Sequence, residues 1–273
     1  MLTLVPTPIG NIADISLRAI DALMDAEILL CEDTRVTKKL LHILETRYGR
    51  SPKHTPSFVS VHSHSEPRFL QHLPDGYFDA NVVYVSDAGM PGISDPGAKL
   101  VRYCIDHGIA YDVLPGANAV LTAYAASGFD TSRMLFFGFL PHKGAARTEA
   151  LHAALYSGYV TVLYEAPHRL EKLLREIAKH APDRQLFAAK ELTKLHQEYR
   201  HGTAGELLET LGNAPIRGEW VVVINAGAQH TTRLGEADIL ELDLPKKAAA
   251  KLLAKITGES VKTCYQKLVD SKE

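Results

Sequence analysis

Residues 85–97 concentrate side chains that can bind a polar ligand, reading Val-Ser-Asp-Ala-Gly-Met-Pro-Gly-Ile-Ser-Asp-Pro-Gly. An apolar run typical of a buried strand ends here in a loop, and open α/β sheets bind ligands at such strand ends. Gly89 would let backbone approach a ligand closely, while Asp87, Ser94 and Asp95 offer hydrogen bonds. The alternative is a tight turn in which Asp95 only caps the helix that follows.

Two further loops have the same character, because each follows a strand-like run and precedes a helix-like one. They are Leu4–Asn11 and Leu114–Ala119. Neither contains Gly-Lys-Ser/Thr or Gly-x-Gly-x-x-Gly, so a Walker phosphate loop, an NAD site and a classical Rossmann methyltransferase site all lose support. Several strand-end loops together favour a cofactor pocket more strongly than one loop does.

Two charged clusters also follow strand-like runs, at 32–35 and 190–194. We expect Glu32, Arg35, Lys190, Glu191 and Lys194 to converge at the mouth of the pocket. A carboxylate there can take a proton and a cation can hold a phosphate. The alternative is a helix capped by Asp33 or Thr34 and a surface patch of salt bridges worth ~0–1 kcal/mol.

No metal site is expected from the sequence. His62 and His64 have strand spacing and so point the same way, but no suitable third ligand is close in sequence. The sequence also lacks a Gly-x-Ser-x-Gly elbow and a His-Glu-x-x-His helix, so hydrolase functions have no support.

The elements that must position these residues alternate between short apolar runs and amphipathic stretches, which indicates βα units and a mostly parallel sheet. Ser16 is placed to cap the first helix. We expect two α/β domains, residues 1–116 and 117–230, with a crevice between them. The predicted strands are Leu2–Val5, Glu27–Cys31, Phe58–Val61, Val82–Ser86, Tyr111–Leu114, Met134–Leu140, Val160–Glu165, Leu186–Ala189 and Trp220–Asn225. In the second of these domains, the predicted helices are Ala145–Tyr156, His168–His180 and Ala204–Leu211.

Residues 231–273 have a different composition. A polar, acidic stretch predicts a linker, and a lysine-rich, helix-turn-helix-like tail follows from Pro245. This tail is either a solvated helical hairpin or an RNA contact, and the sequence favours neither.

Overall composition limits the classes of protein. A net charge of −2 and a pI near 6.7 argue against a protein that coats nucleic acid, although a local basic patch is still possible. Three widely spaced cysteines without a Cys-x-x-Cys pair are typical of free thiols in a reducing cytosol. We see no signal peptide and no membrane-spanning run, and therefore expect a cytoplasmic protein without a membrane partner.

Taken in order, the motifs resemble the tetrapyrrole-methylase superfamily, and within it the branch that methylates ribosomal RNA of the small subunit. The stretches that carry the resemblance are Pro6–Asn11, Glu32–Arg35, Ser86–Gly97, Leu114–Ala119, Phe137–Pro141, Leu163–Arg169, Lys190–Lys194 and Arg217–Glu219. Two stretches depart from the branch: His62-Ser-His-Ser-Glu66, and His142 at a position where a basic residue is usual.

The resemblance implies an α/β fold of two βα domains with S-adenosylmethionine in the cleft between them, plus a small C-terminal helical appendage. It also implies a homodimer that methylates the 2′-hydroxyl of a cytidine in the decoding centre of 16S rRNA, in the small ribosomal subunit. The residues it assigns to the cofactor are Pro8, Asp87, Gly89, Ile93, Ser94, Asn118, Ala119, Tyr164 and Glu165.

The proton acceptor stays open at this point. A ribose hydroxyl is a poor nucleophile, so a base helps, and Glu32, Asp33, Lys190, Glu191 and Lys194 are the candidates. A lysine qualifies only if its pKa is depressed.

Two other functions stay open as well. One is a methyltransferase for a tetrapyrrole or another small molecule, against which Pro6–Asn11 lacks the glycine-rich form usual there. The other is a non-catalytic RNA-binding protein that uses its tail, which would leave the strand-end loops without a role.

Overall fold

The computed structural model describes residues 1–212, 215–227, 236–242 and 244–270. They form two compact units that divide after Gly227. The first unit holds two five-stranded sheets, and the second holds the helices of the tail.

The first sheet has the order β3-β2-β4-β1-β5, and every strand pair in it is parallel. The parallel sheet predicted for this half is therefore confirmed. Because all five strands run the same way, the loops that follow them meet at one edge of the sheet. The strands are β1 Leu2–Leu4, β2 Ile28–Cys31, β3 Ser57–Ser60, β4 Val82–Val85 and β5 Tyr111–Val113.

Four helices of this half pack on the two faces of the sheet: α1 Leu17–Met24, α2 Thr34–Tyr48, α3 Glu66–Gln71 and α4 Ala98–Asp106. A fifth helix, α5 Ala119–Ser127, follows β5. Ser16 caps α1 as predicted, since its side chain accepts a hydrogen bond from the Ala19 amide at 3.1 Å. The fifth helix, α5, packs against the second sheet instead, through Val120 and Ala123.

The predicted cap of α4 is wrong. Gly97, not Asp95, occupies the N-cap, and no side chain caps this helix. The loop runs two residues further than expected because Gly97 adopts a φ of +131° that only glycine tolerates easily. Asp95 is thereby free to face the site described below.

The second sheet has the order β6-β7-β10-β8-β9, and only its β6–β7 pair is parallel. The expectation of a mostly parallel sheet is wrong for this half. The cause is the direct connection from β8 to β9 through residues 191–197, which contain no helix and so return the chain antiparallel. The strands are β6 Met134–Phe139, β7 Val160–Glu165, β8 Gln185–Lys190, β9 Glu198–Thr203 and β10 Trp220–Ile224.

Three helices cover one face of the second sheet: α6 Ala145–Leu155, α7 Pro167–His180 and α8 Ala204–Leu211. All three were predicted to within one residue. The edge strand β9 was not predicted, because Glu-Tyr-Arg-His-Gly-Thr is polar and half exposed and lacks an apolar run.

The tail unit is a small bundle of α9 Glu236–Glu241, α10 Lys246–Thr257 and α11 Val261–Asp270, so the predicted helical appendage is present. Ile239, Ala250 and Cys264 pack together in its core. The predicted linker falls largely outside the described residues. The domain boundaries at 116/117 and 230/231 stay predictions. In the described part of the chain, no helix is long and apolar enough to cross a bilayer.

The two leucines of α1 give a test of this packing. Leu23 is fully buried and Leu17 is 72% exposed. We expect Leu23→Ala to lower the free energy of unfolding by about 2–5 kcal/mol, because it leaves a cavity in the core. Leu17→Ala, the control, should change it by less than about 0.5 kcal/mol. Denaturant unfolding measures both, and equal effects would contradict the packing of α1.

Candidate active site

A cleft of about 360 Å³ lies between the two sheets of the first unit. From the first half it takes Ile9 after β1, residues 88–90 and 93–95 after β4, and residues 118–119 after β5. From the second half it takes Phe139, residues 164–167, Leu192 and residues 219–221. Its volume is that of a small-molecule site.

The inner wall of the cleft depends on a two-residue antiparallel bridge between Thr7 and Gly89. Each residue donates its amide to the other's carbonyl, at 2.9 and 3.0 Å. The Thr7 hydroxyl also donates to the Ser86 carbonyl at 3.2 Å. Gly89 has a φ of +85°, and a Cβ there would lie 3.2 Å from Ile9 Cγ2. The loops after β1 and β4 are thus held as one wall.

Glu66 holds the end of the loop after β4, where the loop leads into α4. This carboxylate is buried and accepts a hydrogen bond from the Gly97 amide at 3.0 Å. A Cβ on Gly97 would lie 3.1 Å from the Gly92 amide nitrogen, so the turn closes tightly only with glycine. This role of Glu66 could not be predicted from the sequence, because Glu66 is distant from the loop along the chain.

Most residues assigned to the cofactor by resemblance come together in this cleft. Those that line it are Gly89, Ile93, Ser94, Asn118, Ala119, Tyr164 and Glu165. The other two, Pro8 and Asp87, line a second cavity of about 200 Å³ beside it.

Sequence reasoning missed several lining residues, among them Ile9, Phe139, Leu192, Glu219 and Trp220. Four of them lie within motifs that carried the resemblance, and Trp220 directly follows one. Their apolar or charged side chains alone gave no reason to choose them.

Glu165 is buried and held by two arginines. Its carboxylate lies 3.0 Å from Arg169 Nε and 3.6 Å from Arg147 Nη2, and it accepts from the Ala166 amide at 3.0 Å. The same arginines donate to the carbonyls of Leu140 and Pro141, at 2.6 and 3.1 Å. The network therefore fixes the end of β6, where Phe139 enters the cleft. One oxygen of Glu165, Oε2, has no hydrogen-bond partner among the described residues.

The first charged cluster is interlocked with the loop after β4. The Asp87 amide donates to Glu32 Oε2 at 3.3 Å, and the Asp33 amide donates to Asp87 Oδ1 at 3.1 Å. Asp33 caps α2, and the Arg35 guanidinium donates two hydrogen bonds to the Asp33 carboxylate. These hydrogen bonds lower the pKa of Asp33 to about 2. Arg35 itself is 88% exposed.

The second cluster centres on Lys194. Its ammonium lies 2.8 Å from Glu219, a residue of the cleft, and 3.1 Å from Glu191. Glu191 and Thr193 adopt left-handed backbone conformations, with φ of +50° and +63°. Lys190 points elsewhere, since its ammonium pairs with Glu198 of β9 at 2.9 Å.

The loop after β1 runs between the two clusters. The Asn11 amide donates to the Thr193 hydroxyl at 3.0 Å, and a Cβ on Gly10 would lie 2.4 Å from Lys194 Cγ. Through Thr7 the same loop reaches Gly89, next to Asp87 and Glu32. The loop after β1 thus connects Glu32 with Glu191 and Lys194. Lys190 and Arg35 form salt bridges with other residues instead.

The ionisation of these groups differs. Partial burial alone would lower the pKa of Lys194, but hydrogen bonds to Glu219 and Glu191 outweigh it and raise the pKa. The condition for a lysine base is therefore not met at Lys194. Burial would raise the pKa of Glu191, but the Glu219 amide and Lys194 lower it overall.

Three groups on the cleft side have a raised pKa. Burial, and then the charge of Asp87, raises the pKa of Asp95. Burial, and then the charges of Asp95 and Asp87, raises the pKa of Glu32. Burial, Asp95 and Glu219 raise the pKa of Tyr164 to about 12. Perturbed carboxyls of this kind concentrate at functional sites.

One known protein family has a sequence model that matches most of this chain. The sequence model of the family described as Tetrapyrrole (Corrin/Porphyrin) Methylases matches residues 1–208. A Helicobacter pylori protein named ribosomal RNA small subunit methyltransferase I is 44% identical over 285 aligned residues, covering 100% of this chain and 99% of that protein. A Campylobacter fetus protein of the same name is 45% identical and covers 98% of this chain and 100% of that protein.

Solved structures share the fold at low identity. Cobalt precorrin-4 methyltransferase superimposes with a TM-score of 0.58 at 15% identity, covering 82% of this chain and 94% of that one. Uroporphyrin-III C-methyltransferase from Thermus thermophilus, complexed with S-adenosylhomocysteine, gives 0.51 at 18% identity, covering 82% and 96%.

The effect of the Glu32 charge on the stability of the fold can be tested by substitution. Because its folded-state pKa is raised, the folded state binds the proton more tightly, and ionisation of Glu32 destabilises it as pH rises through that pKa. Glu32→Gln keeps an oxygen for the Asp87 amide and removes the charge. We expect it to raise Tm at pH 7.5, by about 2–4 °C per kcal/mol, and to lose this advantage near pH 4.

The control is Glu149→Gln on the exposed side of α6, which should not raise Tm at either pH. Thermal unfolding at both pH values measures the effect. A Glu32→Gln protein that melts at or below the wild-type temperature at pH 7.5 would show that Glu32 is not strained by burial.

Proposed function

This chain belongs to the tetrapyrrole (corrin/porphyrin) methylase family, and we propose that it uses S-adenosylmethionine to methylate ribosomal RNA of the small subunit. The observation that carries the proposal is identity of 44–45% over essentially the full length to proteins named for that activity. The finer part of the proposal follows the resemblance: the 2′-hydroxyl of a cytidine in the decoding centre of 16S rRNA, a homodimer, and the cytoplasm.

The residues of the cleft fit this cofactor. Gly89 leaves room where any side chain would meet Ile9. Glu165 Oε2 lies 3.6 Å from Arg147 Nη2 but accepts no hydrogen bond from the described residues, so it is a buried acceptor that suits a ribose hydroxyl or an amino group. Ile9, Phe139 and Trp220 supply apolar surface for the adenine. With the residues that the resemblance assigns here, these side chains would hold S-adenosylmethionine, which when bound supplies a methyl group on a positively charged sulfur.

The charged residues have separable roles in this proposal. Lys194 is held as a cation by Glu191 and Glu219, so it holds a phosphate rather than taking a proton. Arg35 pairs with Asp33 but is 88% exposed and extends the same basic rim, whereas Lys190 is paired with Glu198 and is given no direct role. Glu32 accepts the proton of the ribose hydroxyl, because its raised pKa makes it a stronger base than an exposed carboxylate.

The decisive experiment offers the protein tritiated S-adenosylmethionine with 30S subunits, free 16S rRNA or a tetrapyrrole. We expect label in the RNA of 30S subunits, recovered as 2′-O-methylcytidine after digestion, and undiminished in EDTA. Label in the tetrapyrrole alone would replace the proposal with small-molecule methylation. Folded protein that binds the cofactor and labels nothing would also contradict it.

Gly89→Val tests the place of the cofactor. A branched side chain at φ +85° would press on Ile9 and narrow the cleft, so we expect calorimetry to show at least about a tenfold loss of cofactor affinity, or 1.4 kcal/mol. The matched control is Gly49→Val, which imposes similar backbone strain at φ +64° with nothing within 4 Å. Unchanged affinity in Gly89→Val would mean that the cofactor binds elsewhere.

A further inference from the structure

The second cavity, of about 200 Å³, lies between α2 and the loop after β1. One face of α2 forms its apolar side through Val36, Leu40 and Ile43, which have helical spacing. Ile12 and Pro8 face them from the loop. Val36 is 40% exposed, so this face of α2 is only partly covered.

The two cavities share one wall. Pro8 and Gly10 line the second cavity, whereas Ile9 between them lines the cleft. Likewise Asp87 lines the second cavity, whereas Ala88 lines the cleft. Thr7 and Ser86 also line the second cavity, and Gly89 and Met90 also line the cleft, so the backbone of both loops runs between the two cavities. The two cavities are therefore separated by a single layer of backbone.

The polar groups of the second cavity differ from those of the cleft. Asp87 Oδ1 accepts a hydrogen bond from the Asp33 amide, which orients the carboxylate. Lys39 lines the rim, and Arg35 lies one turn earlier on α2. An apolar slot, one fixed carboxylate and two cations at the mouth match the base, the hydroxyl or amino groups and the flanking phosphates of a nucleotide.

We propose that this cavity holds the acceptor nucleotide of the RNA, taken out of its stack, with its ribose at the edge shared with the cofactor cleft. The proposal rests on the proposed function, since it gives the place of that reaction's acceptor. Sequence-specific RNA recognition commonly splays single bases out of their stack and reads their edges in such a pocket. Pro8 and Asp87 then belong to the acceptor side of the wall and not to the cofactor side.

The first test fills the cavity from α2. Val36→Trp places a large ring in the slot at a partly exposed position, and His42→Trp adds the same ring to an exposed position of α2 that lines neither cavity. We expect Val36→Trp to keep cofactor affinity within about twofold and to lower kcat/KM for 30S subunits at least about tenfold. His42→Trp should match the wild type in both, and thermal unfolding checks that both variants fold.

The second test removes a rim charge. Lys39→Ala should reduce the slope of log affinity for 16S rRNA against log salt by about 0.7–0.9. Lys38→Ala, the control, lies next to it on α2 but outside the cavity, over the ring of Phe58, and should leave the slope unchanged. Equal slopes for the two variants would overturn the assignment of Lys39 to the rim.

Each outcome of the first test decides the matter. Wild-type kcat/KM in Val36→Trp overturns this inference while the proposed function stands. An equal loss of cofactor affinity shows that the cavity is part of the cofactor site, which also overturns it. A wild-type protein that labels no RNA overturns the proposed function, and this inference with it.

Discussion

The bridge between Thr7 and Gly89 determines the geometry of both cavities. It joins two loops that leave neighbouring parallel strands, β1 and β4, and would otherwise diverge. Two backbone hydrogen bonds are a small energetic contribution, about 1 kcal/mol each. Their effect comes from position, because the side chains on either side of the bridge line different cavities. Loss of the bridge would therefore change the walls of both cavities.

The protein treats its buried carboxylates in two different ways. Glu165 is paired with Arg147 and Arg169, and these contacts fix the backbone around it. Glu32 and Asp95 receive hydrogen bonds but no cation, and neighbouring acids raise the pKa of each further. The first arrangement stabilises the frame of the cleft. The second lowers stability and yields carboxyls that hold a proton more tightly than exposed carboxyls do, a trade of stability for function that is common at active sites.

Local sequence patterns predicted the elements that depend on neighbouring residues. They failed for elements that depend on contacts with residues far away in the sequence. The strands of the first sheet, the Ser16 cap and the helices of the second half follow from hydrophobic periodicity and capping chemistry. The edge strand β9 did not, because its pairing with β8 compensates for a polar sequence.

The same limit applies to the site. Strand-end loops indicated where a ligand binds, but Pro8 and Asp87 line the neighbouring cavity, because the backbone of these loops separates the two cavities. Glu66 holds the loop after β4 through its hydrogen bond with Gly97, and Glu219 helps to raise the pKa of Lys194. The two residues of each contact are far apart in the sequence. No sequence window contains both partners of either contact.

The loop after β1 explains why these parts act together. Two prolines, Pro6 and Pro8, restrict its backbone, where a glycine-rich loop would leave it free. Gly10 is needed at one point only, where the chain presses against Lys194 with no room for a Cβ. A stiff loop anchored to Gly89 at one end and to Thr193 at the other ties the first sheet to the second. Because the loop is also the wall of both cavities, any movement of Lys194 relative to Glu32 must displace that wall. The cation, the carboxylate and the two cavities are therefore held in one fixed arrangement, which in-line transfer between two bound molecules requires.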